Sequence, residues 1–386
     1  MTNELNEKWL RLQQAMQQSG ADGCLVASNR NLYYLTGTLF NGYFYLPAEG
    51  RPHCFVKRPP MPVVAECHTI RKPEQLPEWL FRLGLPQPRV LMLESAQLTY
   101  AEFVRLQRIF HGAQTADASQ PLSRLRMIKT PWEIGQMRLS AQRQIELCAL
   151  IPQCYRKGMT DIDLQIEIEY RMRKLGSLGY FHTCGADLEI FMGSLLAGDN
   201  AGTPAPYDFA LGGGGLHPSV PLGANGTRLE EGMAVMADMA GNYTAYLSDM
   251  TRVYAVGKLP EKARRAHRTA LEIEARMEAA ARPGAACADL YADALAAARR
   301  AGLEDCFMGT RFQSKFTGHG VGLDINEAPV FTPRSQEVLQ AGMTFAFEPK
   351  FVVAGVGAVG IENTYLVTEN GVEKLTEWNE EIVELR

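Results

Sequence analysis

Leu5, Trp9, Leu12 and Met16 recur at intervals of three and four in the first twenty residues, so they fall on one stripe of a helix that Gly20 ends. The pattern then shortens. DGCLVAS, NLYYLTG, GYFYLPA and RPHCFVK are brief runs rich in aromatic and β-branched residues, punctuated by Gly, Asn and Pro, and each predicts a strand. Helical stretches near 74–84 and 98–111 flank another strand, RVLMLES, and this alternation predicts an α/β domain over residues 1–125. ASQPLSR, inside 115–128, reads as an exposed linker open to proteases.

A second domain over 126–386 opens at Thr130, Pro131, Trp132 and Glu133, where Thr can cap, Pro takes the first helical position and Glu reaches back to the cap. That helix is expected to run to Gly158, and DIDLQIEIEYRMRKLG predicts another. A Gly- and Pro-rich passage follows from 193 to 226. Its four glycines, Gly212 to Gly215, precede neither Lys-Ser nor Lys-Thr and open no helix, which argues against a phosphate loop. Met233 to Val256 reads as strand, turn, strand, with Gly241 and Asn242 at the turn. Helices are expected at 260–281 and 287–301, and then the strand-like runs VGLDINEAP, MTFAFEPKFVV and GAVGIENTYLVTENG.

Composition changes this picture little. At 386 residues, 46% apolar and 21% charged, the chain can bury two cores without a covalent or metal staple. A formal net charge of −4 points to neither a nucleic-acid nor a membrane partner. The polar start and the lack of any run of about 18 apolar residues predict a soluble, cytoplasmic protein. The eight cysteines (Cys24, Cys54, Cys67, Cys148, Cys154, Cys184, Cys287 and Cys306) contain no CxxC and read as buried thiols in a reducing compartment.

Four carboxylates stand where an apolar side chain is expected. In TAYLSDMTRVYAV, strand alternation places Asp249 on a face with Leu247, Val253 and Ala255, and Asp238 ends the partner strand. Glu348 closes MTFAF before Pro349, and Glu362 shares a face with Ala358 and Leu366. Burying one unpaired ion costs several kcal/mol, and four such costs exceed a net stability of about 5 to 15 kcal/mol. Seen singly, each is an ordinary turn or strand-end acid. Together they require positive charge among them. Arg252 is placed on the opposite face by alternation, whereas two divalent ions would balance all four, and His319, between Gly318 and Gly320, offers a nitrogen ligand. Oxygen-rich ligation with one imidazole favours Mn, Co, Fe or Zn over Ca.

At these residues the chain resembles the metallopeptidase family that includes prolidase, aminopeptidase P and methionine aminopeptidase. AYLSDMTRVYAVG, FTGHGVGLDINEAP, FAFEPKF and GIENTYLVTENG carry the likeness, and NLYYLTG is similar to part of the creatinase-type domain that precedes the catalytic domain in prolidases. The resemblance implies an α/β N-terminal domain followed by an α+β catalytic domain of the pita-bread fold. It implies that Asp238 holds one metal, that Asp249 and Glu362 bridge, and that His319 and Glu348 complete the second. The implied activity is removal of the N-terminal residue of short peptides, as an Xaa-Pro dipeptidase or aminopeptidase, by a homodimer. In that chemistry the metals activate water and polarise the carbonyl, while Glu348 relays the proton to the leaving amine. Creatinase shares the architecture but not the ligand set; all five ligand positions are kept here.

Other positions depart from the family. Asn326 stands seven residues after His319, where active peptidases usually carry a second histidine that stabilises the tetrahedral intermediate. Gly360 replaces a common arginine, and Asn363 a common aspartate. A further family histidine maps to Pro221; His217, four residues away, is the substitute catalytic group if the loop is longer here, and otherwise a surface loop histidine. Lys315 and Lys350 are additional cations near the site in sequence; either could replace the lost positive charge, and a solvated side chain is the expectation for each. Two alternatives therefore stay open: a metal-bound but weak or inactive binding protein, and a hydrolase of a non-peptide amide.

Overall fold

The computed structural model describes residues 2–59, 61–62, 64–183, 191–207 and 210–386. Cys184, one of the expected buried thiols, lies outside them. The chain divides into two compact units, Met1–Arg126 and Met127–Arg386.

In the first unit the elements are α1 (Thr2–Ser19), β1 (Gly23–Val26), α2 (Asn29–Thr36), β2 (Asn41–Pro47), β3 (His53–Arg58), β4 (Glu66–Thr69), α3 (Leu76–Arg82), β5 (Val90–Leu93), α4 (Tyr100–Ile109), β6 (Gln114–Asp117) and α5 (Ser119–Met127). The strands form one mixed sheet in the order β4-β3-β2-β1-β5-β6. The apolar stripe of α1 is buried at all four predicted positions. Two expectations are corrected. NLYYLTG is a helix, because Leu32 and Leu35 are buried at helical spacing and Gly37, at φ 71°, closes it by donating its N–H to the Tyr33 carbonyl. ASQPLSR is no exposed linker: α5 runs through it and Ala118 and Leu122 are fully buried.

The second unit continues with α6 (Pro131–Cys154), α7 (Asp161–Lys174), β7 (Gly193–Ala197), β8 (Ala234–Gly241), β9 (Ser248–Val256), α8 (Glu261–Ala280), α9 (Cys287–Arg300), β10 (Gly318–Gly320), β11 (Glu327–Val330), β12 (Thr344–Phe347), β13 (Lys350–Val353), β14 (Gly357–Gly360), β15 (Asn363–Val367), β16 (Val372–Lys374) and β17 (Val383–Leu385). The Thr130 cap and Glu133 form the expected reciprocal box at the start of α6. The strands make a β17-β9-β8-β7 sheet, a β11-β10-β12-β15-β16 sheet and the β13-β14 hairpin. Among the described residues no helix is long and apolar enough to cross a membrane.

Alternation along β8 and β9 separates two cores. Val235, Ala237, Met239 and Tyr254 pack with Leu147 and Ile151 of α6 and Leu164 and Ile168 of α7. Ala234, Met236, Val253 and Ala255 join Phe331, Phe345, Phe347 and Phe351 and the alanines of α8 and α9. Asp238 and Asp249 belong by parity to this second face. The β8-β9 connection is longer than a turn at Gly241 and Asn242: it spans 242–247, where the Thr244 hydroxyl donates to the Tyr246 carbonyl and accepts the Tyr246 N–H. Each of the last expected strands is also shorter or broken. VGLDINEAP is extended only at Glu327–Val330. MTFAFEPKFVV breaks at Glu348 and Pro349, since proline has no N–H for the ladder, and GAVGIENTYLVTENG breaks at Ile361 and Glu362. Both breaks deliver a glutamate to the same place.

Candidate metal centre

Asp238 lies opposite Thr251 and Ala240 opposite Asp249 in the β8-β9 register, so Asp238, Thr251 and Asp249 share one face. Glu362 bridges to Thr251 through its backbone, and the Thr251 hydroxyl donates to Glu362 Oε2 at 2.7 Å. Thr364 clamps β9 to β15: its hydroxyl accepts the Asp249 N–H at 2.7 Å and donates to the Asp249 carbonyl at 2.8 Å. Arg252 stays out of the carboxylate cluster. Its donors go to the carbonyls of Thr251, Glu362, Thr376 and Asn379 and to Asn363 Oδ1.

His319 sits on β10 between two glycines for a steric reason. A Cβ at residue 318 would lie 2.4 Å from the Ala346 carbonyl oxygen, and one at residue 320 would lie 2.1 Å from that of Ala328. The strands on either side can approach only because both side chains are missing. His319 Nδ1 lies 3.2 Å from the Gly320 carbonyl, an acceptor only, so Nδ1 carries a proton. Nε2 then faces Glu348 Oε1 at 3.4 Å, Asp249 Oδ2 at 3.8 Å and Glu362 Oε1 at 3.9 Å.

Lys350 is fully buried, which corrects its expected solvation. Its ammonium donates to Glu348 Oε2 at 2.7 Å, Asp238 Oδ2 at 2.8 Å and Glu362 Oε2 at 3.0 Å. Alternation and the strand break send the side chain inward, opposite Gly360 in the hairpin. The signal was available in the sequence: a charged residue in the apolar run KFVV is as anomalous as Asp249 in its own strand.

Burial opposes the charge on Lys350, but Asp238, Glu348 and Glu362 together hold its pKa well above that of an ordinary lysine. Burial and repulsion from Glu362 and Asp238 push Asp249 well above the usual carboxylate range. Asp238 opens partly onto a cavity, its side chain 27% exposed, yet desolvation by the enclosing protein raises its pKa despite the Lys350 charge. Burial also acts to raise Glu348, and Lys350 and His319 outweigh it, so its carboxyl is lowered.

The cavity holds about 250 Å³ and is lined by Asp238, Asp249, His319, Glu348 and Glu362 as well as Asn326, Lys315, Phe181, Leu211 and Phe316. His217 is not brought to it. That residue is exposed, and its Nδ1 pairs with the Ser219 hydroxyl at 2.8 Å within a tight turn. Asp249, His319 and Glu362 offer ligand atoms within 4.8 Å of one another, a buried oxygen- and nitrogen-donor set that fits a divalent cation. Thr251, Thr364 and Arg252, which orient those ligands, gave no signal in the sequence as site residues.

Known proteins resemble this chain along its whole length. Residues 8–128 match the creatinase/prolidase N-terminal domain. The Xaa-Pro dipeptidase of Pyrococcus horikoshii is 26% identical over 384 residues, spanning 98% of this chain and 99% of its own. An uncharacterised peptidase of Staphylococcus haemolyticus is 30% identical over 75% of this chain and 74% of its own. The Xaa-Pro dipeptidase structure from Bacillus anthracis superposes with a TM-score of 0.82 at 25% identity, covering 99% of this chain and 100% of that one. The fold is thus that of the prolidases, an α/β unit followed by a pita-bread unit. With residues 135–369 matching its model and the acids and histidine of the centre converging on one cavity, the chain belongs to metallopeptidase family M24.

Proposed function

We propose that this protein is a metal-dependent exopeptidase that removes the N-terminal residue of short peptides with proline in second place. The observation that carries this reading is the convergence of Asp249, His319 and Glu362, with Glu348 beside them, on the wall of one cavity. Chain-long similarity to Xaa-Pro dipeptidases supports the substrate class. A divalent ion, when bound, stabilises negative charge developing on the scissile carbonyl and makes water more acidic. Mn, Co, Fe and Zn all suit the donor set.

The chain's own residues then have separable tasks. Asp249, Glu362 and His319 would hold the ion. Glu348, with Oε2 tied to Lys350 and Oε1 turned toward His319, accepts the proton of water and returns it to the leaving amine. The Asn326 amide donates to the carbonyl oxygen, and Phe181, Leu211 and Phe316 supply an apolar wall for the proline ring. Lys315, exposed at the cavity, offers a cation to the free carboxylate of a dipeptide. The family resemblance further supports a cytoplasmic homodimer, which light scattering and cell fractionation check.

The test is a screen of dipeptides and tripeptides, with and without proline in second place, on Mn- or Co-loaded protein. Cleavage of Xaa-Pro peptides, lost in Asp249→Ala, is expected. A metal-loaded wild type that cleaves no peptide would overturn the reading and favour the binding-protein alternative, to which Asn326 in place of a proton-carrying group lends weight.

A further inference from the structure

The carboxylate cluster has two halves. Glu348 and Glu362 each turn one oxygen to the Lys350 ammonium and the other toward His319 Nε2. Asp238 lies with the ammonium at 2.8 Å, and Asp249 with the imidazole at 3.8 Å. An ammonium has three N–H donors, and those of Lys350 are matched by three carboxylate oxygens at 2.7 to 3.0 Å. The lysine side chain is 1% exposed, so moving it off these oxygens would leave a desolvated charge without acceptors. The other half gathers Asp249 Oδ2, Glu348 Oε1 and Glu362 Oε1 around His319 Nε2, oxygen and nitrogen atoms that the ammonium does not hold.

From this division we infer that the centre is mononuclear. The Lys350 ammonium is a built-in cation in one of two cation positions, and a single divalent ion binds at the other, on Asp249, His319 and Glu362. A second ion would need Asp238 Oδ2 and Glu362 Oε2, the oxygens that the ammonium already holds. It would also bring a double charge against a fixed positive one in a buried site, where such repulsion is weakly screened. The charge balance agrees: one ammonium and one divalent ion bring three positive charges to four carboxylates, whereas two ions and the ammonium would overshoot. The ammonium also keeps Asp238, Glu348 and Glu362 in place before any metal arrives. This inference deepens the metal-dependent reading above and rests on it only in that the cluster takes a divalent ion.

The experiment is metal analysis of wild type and Lys350→Ala after saturation with Mn²⁺ and desalting, joined to electron paramagnetic resonance of the bound ion. Wild type is expected to retain one ion per chain with the spectrum of an isolated Mn²⁺. Lys350→Ala is expected to take up a second ion and show an exchange-coupled pair. Two ions in wild type, a coupled spectrum in wild type, or a folded Lys350→Ala that still holds one ion would overturn the inference. Should Lys350→Ala not fold, the wild-type stoichiometry and spectrum decide alone. Absence of any bound ion in wild type would sink the metal-dependent reading together with this one. One bound ion without peptide cleavage would defeat only the peptidase reading.

Discussion

Asn326 lines the cavity with His319 and Lys315, and its amide can donate to an oxygen that gains negative charge but cannot transfer a proton. Removing a donor of this kind altogether costs about a hundred- to a thousandfold in turnover. Because asparagine keeps a donor, Asn326→His is expected to raise kcat on an Xaa-Pro peptide by less than that, with KM little changed. A fast wild type that the substitution slows would identify asparagine as the adapted group instead. At this scale the acids and His319 were legible in the sequence, because a charge in an apolar strand must be explained. Lys350 obeys the same rule and was still expected in solvent. The difference is that a long, flexible ammonium usually reaches water from a half-buried position, whereas here Asp238, Glu348 and Glu362 hold it inside. His217 was misplaced for the converse reason: loop length hides whether a side chain four residues from the aligned position reaches a site.

At the scale of elements, the centre depends on how β9 and β15 are pinned. Arg252 leaves β9 on the side away from the cluster and gives five hydrogen bonds, two of them to the main chain of Thr251 and Glu362. Arg252→Met would leave buried acceptors unpaired at about 1 to 3 kcal/mol each. We expect a loss of roughly 3 kcal/mol or more, read as a fall of about 6 to 12 °C in Tm by calorimetry. A change under about 2 °C would show that β9 and β15 are held by Thr364 and Thr251 without it. Helix limits were well read where caps are explicit, as at Thr130 and Glu133. Strand limits were not, because the interruptions at Glu348 and Glu362 mark a change of sheet and leave no local signature beyond Pro349. NLYYLTG misled for a related reason: its aromatic content suits a strand, but the spacing of Leu32 and Leu35 and the Gly37 stop suit one short helix.

At the scale of the whole molecule, the division after Arg126 falls where the change in pattern lay, although the segment leading to it is helical. The catalytic reading concerns the second unit, whose aromatic core and alanine-rich α8 and α9 back the sheet that carries Asp238 and Asp249. Most of this architecture followed from a few spaced residues, since a pair of acidic strands, a glycine-flanked histidine and two strand-end glutamates constrain one another tightly. The cation count did not, because it depends on which oxygens one lysine reaches. A peptidase centre completed by one metal ion beside a resident ammonium can be checked by titrating metal-stripped protein with Mn²⁺ while following hydrolysis of an Xaa-Pro dipeptide. No turnover is expected without metal, followed by a linear rise that levels at one equivalent per chain. Turnover that persists after metal is removed, or that climbs until two equivalents are bound, would contradict it.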